Sequence, residues 1–212
     1  MHSKKDLAKQ NKDLRLKVEK EYISNFILSN NNNFFLDESK LNTLIDSKNN
    51  LNQIAISKLL KFDTNNYFCC GNHRLFIKPL SSLINDPLQR PIINSEGIIG
   101  QTINDMSGIY EVMLLSDSKH SIPIFSDNFY CNAKGSGKPS FISCTYSQLI
   151  WEDSFKIGQK FYSSGLGGVF PKGILIGSVL DIKDISDTEK EVVIRLKVNP
   201  ISENIFGVVL SI

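Results

Sequence analysis

The sequence predicts a mainly β protein behind an N-terminal helical, coiled-coil-like arm, with the β part built as small antiparallel barrels or sandwiches. Two observations predict it. Residues 4–28 lack Gly and Pro and are rich in Lys, Leu, Gln and Glu. After Asn49 the chain turns into short β-rich runs punctuated by Gly, Asn, Asp and Pro, the pattern of antiparallel sheets and not of alternating βαβ units.

The arm carries Leu7, Leu14, Val18, Tyr22 and Phe26 at seven- and four-residue steps, widened by Ile23 and Ile27. Such a stripe suits an amphipathic helix that dimerises on a second copy. Gln10 and Lys17 fall where apolar d positions belong, so the heptad is not clean. Asn30, Asn31, Asn32 and Asn33 break the helix, because asparagine competes locally for backbone hydrogen bonds. Asp37 can cap a second helix through Ser47, with Leu41, Leu44 and Ile45 on one face.

Strands are predicted at residues 53–60, 74–77, 91–94, 98–103, 110–115, 121–125, 140–145, 160–163, 174–181, 191–198 and 206–211. The run 191–198 alternates cleanly: Val192, Ile194, Leu196 and Val198 share one face, and Val193, Arg195 and Lys197 the other.

Composition excludes several classes. A formal net charge of +2 gives no basic field for nucleic acid; the one basic excess, at residues 4–20, reads as a solvated helix face. No run of about 18 apolar residues or signal-peptide core occurs. Cys69 and Cys70 are adjacent, a spacing that rarely bridges. With Cys131 and Cys144 they form no C-x-x-C motif, so neither a metal site nor a cofactor is expected.

Two stretches carry a resemblance. The first is Gly97-Ile-Ile-Gly100-Gln101-Thr-Ile, then Val112-Met-Leu-Leu-Ser-Asp117, then Ile122-Pro123-Ile124. The second is Gly158-Gln-Lys-Phe-Tyr-Ser-Ser164-Gly165-Leu166-Gly167-Gly168-Val-Phe170-Pro171-Lys-Gly173, continuing as Ile174-Leu-Ile-Gly177-Ser-Val179. Together they resemble the MreC family of rod shape-determining proteins from about Gln53 onward. Gln159 replaces the family's usual Asp and Ser163 its Thr, and residues 74–91 lack the glycines the family commonly has there; Asp86-Pro87 reads as a local turn.

The resemblance implies two β-barrels, the second inserted in the first: residues 1–48 as the arm, 49–101 plus 173–212 as the first barrel, 102–172 as the second. It implies a non-enzymatic scaffold of the bacterial elongation complex, organising peptidoglycan synthesis. The implied partners are a second copy, a penicillin-binding protein and membrane proteins of the shape complex, at the periplasmic face of the cytoplasmic membrane. The family carries a transmembrane helix ahead of its coiled coil, so membrane association is expected through a helix missing from this chain. Partners would grip barrel surfaces and exposed strand edges.

Rival chemistries are weaker. His73, Asp117 and Ser164 follow the chain order of a chymotrypsin-like triad on a double β-barrel, but the usual Gly-Asp before the serine is replaced by Tyr162-Ser163. A soluble β-barrel adaptor unrelated to the cell wall is the other alternative. Gly135-Ser-Gly137-Lys138 is followed by Pro139 and not by Ser or Thr, so it reads as a hairpin turn and not a phosphate loop. His120 reads as a polar hairpin residue. Trp151 reads as a loop anchor or an interface residue.

Overall fold

The structure is a computed structural model. It describes residues 14, 39, 53–80, 86–151 and 155–211. The expected arm therefore lies outside the described residues, except that Leu14 is helical and exposed and Ser39 is helical. Leu7, Val18, Tyr22 and Phe26 are not among them.

Among the described residues the chain forms twelve strands and one short helix. In order these are β1 (Gln53–Phe62), α1 (Thr64–Cys69), β2 (Arg74–Pro79), β3 (Pro91–Asn94), β4 (Gly97–Asp105), β5 (Tyr110–Leu114), β6 (Ser121–Ser126), β7 (Phe129–Gly135), β8 (Phe141–Ser147), β9 (Lys160–Ser163), β10 (Leu175–Asp184), β11 (Glu189–Leu196) and β12 (Ile205–Ser211). They close into two antiparallel barrels, β1-β12-β3-β4-β5-β2 and β10-β11-β8-β7-β6-β9. The second barrel lies between β5 and β12 in the chain, so it is an insertion in the first.

The expected domain limits need correction. A boundary at 101/102 cuts through β4, which pairs along its length with β5 in the first barrel. A boundary at 172/173 separates β9 from β10, which are hydrogen-bonded neighbours in the second barrel. The strands instead assign residues 53–114 and 205–211 to the first barrel and 121–196 to the second. Ring closure gives every strand a neighbour on both sides, which confines exposed edges to places where pairing stops, as along β7 and β8 beyond Lys134–Ser143.

Alternation explains the cores. On β11, Val192 and Ile194 are fully buried while Arg195 is exposed. The first barrel is filled by Leu75, Ile77, Ile92, Val112, Leu114, Phe206 and Val208. Each such side chain contributes about 1.5–3 kcal/mol when fully buried. The second barrel holds Ile122, Ile124, Ile142, Phe161, Val192 and Ile194, with an aromatic cluster at one end. There Phe129 meets Tyr146, Trp151 and Phe155 at ring distances of 5.7, 5.2 and 4.8 Å.

Two features departed from expectation. Strand β7 is absent from the predicted strands: Tyr130, Asn132 and Lys134 form its exposed face, and the opposite face carries only Phe129 as a large apolar residue. Helix α1 was also missed; it is one and a half turns long and is capped by Asp63, whose side chain accepts from Asn66 N at 3.3 Å. Asp86 has φ 54° in the expected turn. Cys69 and Cys70 form a disulfide despite their adjacency, and Cys131 pairs with Cys144.

The second bridge sits at a structural seam. Strands β6 and β7 pair from Ser121–Lys134 to Ser126–Phe129. Strands β7 and β8 pair only at Lys134–Ser143 and Gly135–Ile142 before diverging. Beyond that point the Cys131–Cys144 bridge and the Phe129–Tyr146 contact join the two strands. Replacing both Cys131 and Cys144 by Ala is expected to lower unfolding free energy by about 2–4 kcal/mol, the usual worth of such a link. Urea unfolding of the parent and the double variant checks this.

Candidate functional site

The polar centre of the molecule is the crossing between the barrels. Three segments meet there: residues 71–74 leading into β2, residues 115–120 linking β5 to β6, and residues 135–137 at the β7–β8 hairpin. Leu114 N donates to His73 O, Ser118 N to Gly71 O, and Gly137 N to Ser116 O.

Asp117 organises this crossing. Its carboxylate is fully buried. One oxygen accepts from His73 N at 2.6 Å and from the Arg74 guanidinium; the other accepts from Lys119 N at 2.8 Å. Arg74 also reaches Glu111 at 3.3 Å. A buried carboxylate is stable only when paired and hydrogen-bonded in this way. The backbone packs as tightly as the charges: a Cβ on Gly135 would overlap Asp117 O, so only glycine lets the hairpin close on the linker.

The two histidines of the crossing are buried. His73 Nδ1 lies 2.7 Å from Ser116 Oγ, and its ring packs on Tyr67 at 4.7 Å. His120 packs on Phe170 at 5.8 Å, and neither of its ring nitrogens has a hydrogen-bond partner. It is a core residue and not the polar hairpin residue expected. Burial pushes the His120 imidazole down to about 4; Asp117 opposes that shift and Arg74 adds to it. His73 is lowered too, mainly by burial, again against Asp117.

The rival triad of His73, Asp117 and Ser164 is not assembled. Asp117 binds the backbone N–H of His73 and not its ring. Ser164 Oγ donates to Pro123 O at 3.1 Å and accepts from Leu166 N at 3.2 Å. Those bonds make Ser164 a turn residue that staples the 164–173 loop to β6. Ser163 closes the base of the same loop: its hydroxyl donates to Pro171 O and accepts from Ile174 N at 3.0 Å. Gly165, Gly167 and Gly168 take left-handed φ of 76°, 82° and 65°, which turns the chain back sharply. Leu166 is exposed at the tip, and Phe170 and Pro171 are buried beneath it. Gly173 has φ 83° at the loop's exit.

The remaining motif glycines serve close approaches. A Cβ on Gly100 would overlap Met113 O, and one on Gly177 would overlap Arg195 O. Gly97 sits where a Cβ would meet Val198 at 3.3 Å and Leu175 O at 3.4 Å, so β4 of the first barrel rests on β10 of the second. Gly135-Ser-Gly137-Lys138 is a hairpin turn, with Ser136 N donating to Phe141 O. Trp151 is half-buried in the aromatic cluster. No cluster of His, Cys, Asp and Glu suited to a metal occurs among the described residues. No helix among them is long and apolar enough to cross a membrane.

The motif residues thus gather at two places, the inter-barrel crossing and the 164–173 turn. A family model described as rod shape-determining protein MreC, barrel core, matches residues 88–206. The chain belongs to the MreC family. It is 28% identical over 92 residues to the cell shape-determining protein MreC of Caulobacter vibrioides, a match covering 42% of this chain and 26% of that protein. Each curated relative, including that of Escherichia coli, is matched over 26% of its length. A solved MreC structure superposes with a TM-score of 0.71 at 22% identity, covering 86% of this chain and 98% of its own. The MreC of a complex between penicillin-binding protein PBP2 and MreC from Helicobacter pylori gives a TM-score of 0.56 at 14% identity, covering 74% and 98%.

Gln159, which departs from the family's Asp, has a local role. Its amide nitrogen donates to Ser126 Oγ at 3.0 Å and to Asp127 at 3.2 Å, and its oxygen accepts from Lys156 N at 3.1 Å. An aspartate here would lose both donations and face the Asp127 carboxylate. Gln159→Asp is expected to cost about 1–2 kcal/mol at neutral pH, read by urea unfolding, with recovery in the Gln159→Asp, Asp127→Asn double variant.

The buried His120 sets a pH dependence. It is neutral in the fold, whereas an unfolded histidine titrates near 6.5. Below that pH the unfolded chain takes up a proton that the fold refuses, so stability falls from about pH 6.5 towards pH 4. One such group gives a slope of at most about 1.4 kcal/mol per pH unit. His120→Leu is expected to flatten the curve in that window, with His73 leaving a smaller slope of the same sign; unfolding of both proteins across pH 4–7.5 measures it.

Proposed function

We propose that this chain is a non-enzymatic scaffold of the bacterial elongation complex, controlling cell shape by holding peptidoglycan-synthesis enzymes in place. It acts at the periplasmic face of the cytoplasmic membrane. Its partners are a penicillin-binding protein, membrane proteins of the shape complex and a second copy of itself. The observation that carries this reading is the pair of closed barrels joined at a buried crossing, in a chain of the MreC family. Such a body offers fixed side-chain surfaces and spends its motif residues on turns and packing. The PBP2–MreC complex from Helicobacter pylori supports the choice of partner.

Mechanism follows from rigidity. A scaffold works by fixing distances between the proteins it binds, so its own parts must not slide. The Asp117 network and the glycine contacts at Gly97 and Gly135 hold one barrel against the other. The arm, with Leu7, Leu14, Val18, Tyr22 and Phe26 as its apolar stripe, supplies self-association, and Trp151 is a candidate partner contact.

Expression of the chain, joined to the membrane anchor of a rod-shaped host's own MreC, is expected to restore rod shape in cells depleted of that protein. Rounded cells despite stable, membrane-bound expression would contradict the scaffold role. Leu14→Glu with Val18→Glu is expected to abolish dimerisation while leaving the β circular-dichroism signature intact. Sedimentation of the variant as an unchanged dimer would remove the arm as the interface.

A further inference from the structure

A groove runs along one side of the crossing, bordered by both barrels. It encloses about 420 Å³ between α1, the β7–β8 hairpin and the end of β11. Its apolar wall is Phe68, Phe141 and Ile201. Phe68 and Ile201 are 68% and 48% exposed, although α1 itself is anchored by the buried Tyr67, whose ring meets Phe68 edge-on at 5.2 Å. Exposing such side chains is unfavourable unless something covers them.

The polar wall has one sign of charge. Arg195 and Lys197 are the only charged residues lining the groove. Arg195 lies in β11 and Lys197 at the bend that follows it, and both side chains are exposed. Neither makes an ion pair among the described residues. The Arg195 guanidinium lies over the Phe141 ring at 5.6 Å, which orients it while leaving its N–H edge available. Lys197 Nζ donates to the backbone carbonyl of Glu96 at 3.0 Å, a neutral acceptor that leaves the charge uncompensated. The Glu96 carboxylate itself is taken up by Asn199 N at 3.0 Å.

We propose that this groove docks an extended acidic segment of a partner protein, with carboxylates at alternate positions and an apolar side chain against Phe68 and Ile201. Both cations line the same groove, so the carboxylates of an extended acidic segment laid along it would find two charged partners beside its apolar wall. The inference rests on the scaffold reading and names the chemistry of one partner surface.

The test is fluorescence polarisation with the full chain and a labelled ten-residue peptide alternating Glu and Leu, beside its Lys–Leu counterpart. The expected result is saturable binding of the acidic peptide that weakens with salt. At least tenfold weaker binding is expected for the lysine peptide, and for the acidic peptide with the Arg195→Glu, Lys197→Glu double variant. Phe68→Ser is expected to weaken it several-fold. All three residues are exposed, and matching thermal unfolding of the variants checks that they fold. No binding, equal binding of both peptides, binding unaffected by the variants, or displacement of the peptide by oligothymidylate at stoichiometric concentration would each overturn the proposal. Restoration of rod shape by the unmodified chain reports on the scaffold reading separately, so a failed groove and a failed scaffold give different results.

Discussion

A single buried carboxylate sets the geometry on which the rest of this molecule depends. Asp117 is buried away from bulk solvent, so its charge must be met by Arg74 and by the backbone N–H groups of His73 and Lys119. Those three partners lie on the entry to β2 and the linker into β6. Satisfying the charge therefore fixes the point where the chain leaves one barrel for the other. Glycine at 135 then lets the hairpin of the second barrel close against the same linker. Charge and close contact act on one spot, which favours a single arrangement of the crossing.

Ring closure determines what kind of surface the protein can offer. An open sheet presents unpaired backbone groups and recruits other strands without much selectivity. Here each strand has two neighbours, so recognition passes to side chains on the barrel walls and to the loops between strands. That favours defined patches. The groove lined by Phe68, Phe141, Ile201, Arg195 and Lys197 joins apolar surface to unpaired positive charge. The 164–173 loop serves a different end: Ser163, Ser164 and the buried Phe170 hold it in place, and its tip at Leu166, Gly167 and Gly168 is exposed.

Much of the fold was legible because its signals are local. Gly, Pro, Asn and Asp marked the turns, and alternation marked β11: of the residues on one face, Val192, Ile194 and Val198 are buried and Leu196 is half-buried. Non-local facts were not legible. Strand β7 does alternate, Phe129, Cys131 and Ala133 against the exposed Tyr130, Asn132 and Lys134, but its inner face holds a single large apolar residue, so the signal is weak. The barrel boundaries failed because β9 and β10 pair with each other across the predicted limit. Nothing local marked Asp117 as a buried charge, since Arg74 stands 43 positions away in sequence. His120 passed for a surface residue, because only the three-dimensional position of Phe170 buries it.

Urea unfolding of Asp117→Asn, followed by hydrogen exchange at the His73 and Lys119 amides, tests the joint most directly. The substitution keeps the shape and removes the charge that answers Arg74. The account predicts a loss of about 3 kcal/mol or more, faster exchange at both amides, and barrels that no longer unfold in one transition. A variant as stable as its parent, with both amides still protected and a single transition, would contradict the claim that this carboxylate holds the barrels together.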